Sequence, residues 1–126
     1  MAKTVLATQS APRPGGGYSQ GIAAGDLVFT AGLGPHDPVT GAIVGSDIAA
    51  QTRQAIANVA AVLGAAGLGL HDVVKATVHL SDLHRDFAGF DAVYRELMPE
   101  PWPVRTTAGS TLWNILVEID VVAARR

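Results

Sequence analysis

Arg105 and Glu118 are the two residues whose types and surroundings speak most directly of chemistry. Arg105 follows Trp102-Pro103-Val104 and precedes Thr106-Thr107. The proline stiffens the approach and the threonines favour an extended chain. The guanidinium is then held as a rigid fork that fits a small carboxylate ligand bidentately. The plain alternative is a surface arginine in an ion pair. Glu118 lies in Ile115-Leu-Val-Glu-Ile-Asp-Val-Val122, where alternation puts Ile115, Val117, Ile119 and Val121 on one face and Leu116, Glu118, Asp120 and Val122 on the other. It reads either as an acid on the solvent side or, if partly buried, as a group that handles the protons of a water. Tyr18, beside Gly15-Gly16-Gly17, offers a phenol hydrogen bond to a ligand or simply packs half-buried. Gly32, in Thr30-Ala-Gly-Leu-Gly34, permits close backbone approach or marks a strand-end bend.

Other chemistries are disfavoured. The chain has no cysteine, which removes disulfides, thiolate catalysis and Cys-ligated zinc. His36, His71, His79 and His84 match no usual metal spacing. The triple glycine lacks the strand–loop–helix and following Lys-Ser/Thr of a phosphate loop. No metal and no cofactor is therefore expected. Net charge is −2, and no basic run exceeds Arg125-Arg126, whereas nucleic-acid binding needs several cations clustered on one face. Residues 1–9 lack the apolar stretch of a secretory signal, and no run approaches about 18 apolar residues. The expectation is a soluble, cytoplasmic protein that binds neither membrane nor nucleic acid. Charged residues make up only 16%, against roughly 25% in an average domain. Surface buried in a homo-oligomer accounts for such a deficit, and the alanine content accounts for it in part as an alternative.

Positioning these residues falls to a short list of elements. Hydrophobic residues at 48% of 126 supply the core of one domain, 1–126. Thr4–Ala7 reads as a strand, and Gly25-Asp26 between two short apolar runs reads as a hairpin turn. A helix is expected over 47–63, because Ile48, Thr52, Ala55, Ile56, Val59, Val62 and Leu63 recur at three- and four-residue spacing. Ser46 or Asp47 caps its start, and Gly64 or Gly67 ends it. Residues 73–80 form a strand with Val74, Ala76, Val78 and Leu80 on one face and Lys75, Thr77 and His79 on the other. A second helix spans about 86–98 with Phe87, Phe90, Val93, Tyr94 and Leu97 inward, stopped by Pro99, Pro101 and Pro103. Extended segments near 104–108 and 114–123 close the chain. The order predicts an α+β fold with both helices on one face of a mixed sheet.

Taken together, several segments resemble the reactive intermediate deaminase family (Rid, also YjgF). They are Tyr18-Ser-Gln20, Leu27-Val-Phe-Thr-Ala-Gly32, Asp37-Pro-x-Thr-Gly41, Ala50-Gln-Thr-Arg-Gln54, Asp72-Val-Val-Lys75, Asp86-Phe-Ala88, Val93-Tyr94, Pro103-x-Arg-Thr106 and Leu116-Val-Glu-Ile119. The resemblance runs through nearly the whole chain in order. It implies a chorismate-mutase-like fold assembled as a homotrimer around a sheet-lined central barrel. It also implies intersubunit clefts where enamines and imines released by pyridoxal-phosphate enzymes are hydrolysed to 2-keto acids and ammonia. Arg105 would hold the substrate carboxylate, and Glu118 would position or activate the water. Backbone groups at Gly32 and Thr107 would line the pocket, and Tyr18 would close it from a neighbouring subunit. Three features depart from the family pattern. Leu33 stands where many members have Gln, Asp91 where many have Asn, and the stretch from Arg105 to Glu118 is about two residues shorter, with Ser110-Thr-Leu-Trp-Asn114 replacing the usual loop. A carboxylate-binding regulatory trimer, or a specialised member acting on a different substrate, are the competing readings. Endoribonuclease activity is disfavoured by the acidic balance.

Overall fold

The structure is a computed structural model that describes residues 2–126. The described residues form six strands, two α-helices and one short 3-10 turn. In chain order these are β1 (Lys3–Leu6), β2 (Gly21–Ala24), β3 (Leu27–Thr30), α1 (Ile48–Gly64), the 3-10 turn Leu70–Asp72, β4 (Val73–Leu80), α2 (Leu83–Leu97), β5 (Val104–Gly109) and β6 (Val117–Ala124). The sheet runs β1-β2-β3-β6-β4-β5. Only β4 and β5 are parallel, with Ala76 opposite Arg105 and Val78 opposite Thr107. The remaining pairs are antiparallel. A parallel pair needs a crossover, and α2 is that crossover. Gly25, at φ +60°, makes the tight β2–β3 turn that Gly-Asp announces.

Both helices lie on one face of this mixed sheet. On that face Val28, Ala76, Val78, Leu80, Val117, Ile119, Val121 and Ala123 meet Ile56, Val59, Val62 and Leu63 of α1 and Phe90 and Tyr94 of α2. Asp47 starts α1 by accepting a hydrogen bond from the Ala50 N–H at 2.8 Å. The helix ends at Gly64, and Gly67 takes the left-handed φ of +74° in the turn that follows.

Four expectations shift, one of them that Phe87 of α2, expected inward, is 40% exposed. α2 begins at Leu83 rather than Asp86, because Asp82 caps it by accepting from the Arg85 N–H at 3.1 Å. β6 begins at Val117, not 114, since Asn114 adopts φ +62° and breaks the extended run. Val74 is exposed while Val73 is buried. A bulge between Val73 and Lys75 offsets the alternation there. From Ala76 onward the strand alternates as expected.

Among the described residues the opposite face carries no helix. One row across it runs Val5, Ile22, Phe29, Val122, Lys75 and Val104 in register. Val5, Phe29 and Val104 are exposed. Next to it lie Thr77 opposite Asp120, and His79 opposite Glu118. Among the described residues no helix is long and apolar enough to cross a membrane.

Candidate active site

Glu118 projects from the helix-free face of β6 toward the β3 exit, and the chain there has no room for a side chain. A Cβ at Gly32 would lie 1.9 Å from Glu118 Oε1 and 2.8 Å from its carboxyl carbon. The glycine is thus required by the carboxylate, which rests directly on the backbone. The approach is pinned on both sides. Leu33 N–H donates to Ile119 O at 2.8 Å and Ile119 N–H donates back to Leu33 O at 3.0 Å. Two buried polar residues of α1 hold the neighbouring loops. Asn58 Nδ2 donates to Gly34 O and His36 O, both at 2.9 Å. Gln51 Oε1 accepts from Leu116 N–H at 2.8 Å, and its Nε2 donates to Gly45 O at 3.1 Å.

These loops wall a cleft of about 750 Å³ lined by Tyr18, Gly32, Glu118, Trp113, Arg13 and His36 among others. Tyr18 is half exposed, and its hydroxyl accepts from the Gly15 N–H at 3.0 Å. The glycine run thereby folds against the phenol. Gln20 anchors the base of this loop, donating to Thr8 O, Ala11 O and Pro12 O and accepting from Thr8 N–H. Trp113 is 89% exposed and lines the cleft together with Asn114 and Ile115.

Arg105 lies elsewhere. It projects from the helix face of β5, the sheet's edge, with its guanidinium carbon 4.6 Å from the Tyr94 ring centroid, 5.3 Å from Phe90 and 5.7 Å from Phe87. Such a cage holds a cation by the ring quadrupoles. Nη1 donates to Asp91 Oδ1 at 2.8 Å, and the other oxygen of Asp91 accepts from Arg95 Nε at 2.8 Å. Those hydrogen bonds, Arg95's first and Arg105's second, lower the Asp91 pKa and keep it ionised. Tyr94 is buried, which raises its pKa, and its hydroxyl has no hydrogen-bond partner among the described residues. Arg105, Asp91, Tyr94, Arg95, Trp102 and Pro103 line a recess of about 260 Å³. Thr107 shares the Arg105 face of β5 by alternation.

Within one chain, then, Tyr18, Gly32 and Glu118 share a cleft, while Arg105 and Thr107 stand on the opposite face. Gln51 and Asn58 support the cleft but carry only a faint sequence signal. Two amide side chains seven apart on a largely apolar helical stripe point to inward hydrogen bonds.

An antiparallel-dominated sheet with two helices on one face defines the α+β class to which this chain belongs. The family model described as Endoribonuclease L-PSP matches residues 8–125. A RutC family protein of Pyrococcus horikoshii is 46% identical over 123 residues, covering 96% of this chain and 97% of that one. The 2-iminobutanoate/2-iminopropanoate deaminase of Salmonella typhimurium is 41% identical over 131 aligned residues, spanning 100% of both. The crystal structure of E. coli TdcF with bound serine superposes with a TM-score of 0.90 at 35% identity, covering 98% of this chain and 99% of that chain. The protein belongs to the YjgF/Rid family.

Proposed function

We propose that this protein hydrolyses small enamines and imines of the 2-aminoacrylate type to 2-keto acids and ammonia, at clefts completed between copies of the chain. The observation that carries the reading is the division of the site. One chain offers an anchoring cation on one face of its sheet and an acid in a cleft on the other, so a second copy is needed to bring them together. A homotrimer of single-domain chains, with the helix-free faces lining a barrel as in a chorismate-mutase-like assembly, would do this. The relative named as an iminobutanoate/iminopropanoate deaminase supports the reaction class, and TdcF's bound serine supports a small, carboxylate-bearing ligand.

The chemistry needs no cofactor, because the substrate is already reactive and is supplied by pyridoxal-phosphate enzymes in the cytoplasm. Arg105 takes the carboxylate. Backbone groups of Gly32 and Thr107 line the pocket, and Tyr18 closes it. Glu118 accepts a proton as a water oxygen bonds to the C=N carbon of the iminium form, giving a carbinolamine. Glu118 returns the proton to nitrogen, the C–N bond breaks as the hydroxyl carbon becomes the carbonyl, and the hydroxyl proton passes through Glu118 to the leaving ammonia. Iminium and water thus become keto acid and ammonium. Orientation and one proton-handling group supply the acceleration.

The test adds the protein to a dehydratase that makes 2-aminoacrylate and follows keto-acid release. The wild type should accelerate it. Arg105→Ala should lose roughly 10- to 150-fold in kcat/KM, the equivalent of about 1.5–3 kcal/mol for a charge-assisted hydrogen bond. Glu118→Gln should retain ligand binding and lose about a hundred- to ten-thousand-fold in rate. Equal rates for wild type and Arg105→Ala would sink the proposal. A second reading, a carboxylate-binding regulatory trimer, is favoured by the serine bound in the TdcF structure. It predicts stabilisation by ligand through Arg105 with no turnover. Trp113 on the cleft wall and the RutC family relative favour a specialised substrate within the same reaction class.

A further inference from the structure

Resting on that reading of Arg105 as the carboxylate anchor, we propose that Asp91 makes the anchor selective for carboxylates that carry a cationic nitrogen on the adjacent carbon. An arginine alone attracts any small anion. Here its positive charge is shared before a ligand arrives, because Asp91 Oδ1 sits 2.8 Å from Arg105 Nη1. The side chains are only 20% and 18% exposed, so solvent screens the pair incompletely. The second cation, Arg95, is bound to Asp91 at 2.8 Å but is 70% exposed, and water weakens its share.

What a ligand meets in the recess is therefore a paired plus and minus. A carboxylate on the free edge of the guanidinium lies close to the Asp91 carboxylate, and the two like charges repel. A ligand with its own cation beside its carboxylate matches both poles. Each carboxylate oxygen of Asp91 keeps acceptor capacity after its one arginine bond. Tyr94, which lines the same recess, stacks its ring on the guanidinium with 4.6 Å from ring centroid to Arg105 Cζ and so holds the anchor in place. The recess is small, about 260 Å³, which suits a compact dipolar ion. For the reaction proposed above, the preferred form is the iminium, the tautomer that water attacks. The keto-acid product has lost the cation and is held less firmly.

The test uses two ligands of one shape, L-serine and glycerate, which differ in an ammonium against a hydroxyl. Their affinities for the whole protein are measured by calorimetry at neutral pH. Wild type should prefer serine. Asp91→Asn should narrow that preference by about tenfold, the order of one lost neighbouring charge, mainly through tighter glycerate binding. Arg95→Gln, a change at an exposed side chain, should widen the preference by uncovering Asp91. A preference unchanged in Asp91→Asn, with both ligands still bound, overturns the role of Asp91 alone. If Asp91→Asn does not fold, an unmoved preference in Arg95→Gln does the same. If neither ligand binds wild type, or binding ignores Arg105→Ala, the anchor itself is wrong and this inference falls with it.

Discussion

At the scale of single residues, the contact between Glu118 and Gly32 makes the strongest demand. A methyl at position 32 and the carboxylate of residue 118 cannot occupy their present places together. Gly32→Ala should therefore push Glu118 out of position and abolish most keto-acid release, with circular dichroism unchanged. The clash belongs to a pair, so adding Ala at 32 to a Glu118→Ala background should cost little stability. A double-mutant cycle in urea should return a coupling of about 0.5–3 kcal/mol, and strict additivity would refute the account. Titration offers another residue-scale check. Burial raises the Asp120 pKa, partly offset by His79 and Lys75. The native state then holds the proton more tightly than the unfolded chain, so stability falls as pH rises from the ordinary aspartate value through the raised one. Asp120→Asn should raise the thermal midpoint near neutrality and leave it unchanged in strong acid. Asp72 acts in the opposite sense. The Gly69 N–H, then Arg126, lower its pKa, and the stability it contributes is lost as pH falls through that lowered value. Sequence reading found Arg105, Glu118, Tyr18 and Gly32 as candidates through local type and neighbours. It did not pair Arg105 with Asp91, fourteen positions away, or Glu118 with Gly32, because no spacing rule links residues on separate elements.

At the scale of elements, α1 is both a core helix and the support of the cleft. Its apolar stripe was legible from periodicity and is buried as expected. Asn58 interrupts that stripe to hold two loop carbonyls. Asn58→Ala would leave both acceptors without a partner in a buried site, a cost of about 1–3 kcal/mol. The urea midpoint should drop with the slope m unchanged. An undiminished midpoint would mean that the loop satisfies itself in another way. The boundaries misjudged from sequence have local causes. Asp82 caps α2 one turn earlier than its apolar residues announce, Asn114 turns left-handed, and one bulge inverts Val73 and Val74. Composition and period carry the interior of an element well, whereas its ends depend on single hydrogen bonds.

At the scale of the whole molecule, fold class followed from the order of elements, but strand order did not. Nothing in the local pattern of residues 117–124 says that they insert between β3 and β4. The helix-free face, with Phe29 and Leu27 each 40% exposed, is the surface that the proposed trimer would cover. Phe29→Asp should yield a folded monomer by sedimentation velocity, and it should lose turnover because neither half-site is complete alone. A trimer that persists with full activity in this variant would contradict that use of the face.

The position of β6 has a temporal meaning. It is the last strand in the chain and stands fourth across the sheet, joining β1-β2-β3 to β4-β5. Until residues 117–124 have left the ribosome, β1-β2-β3 and β4-β5 have no strand between them to make one sheet, and pairing β6 with β3 closes a loop of more than 80 residues, from Ala31 to Leu116. Glu118 arrives on that same strand. The acid proposed to handle water therefore reaches its place only in the step that completes the fold, so no partly made chain exposes a working site.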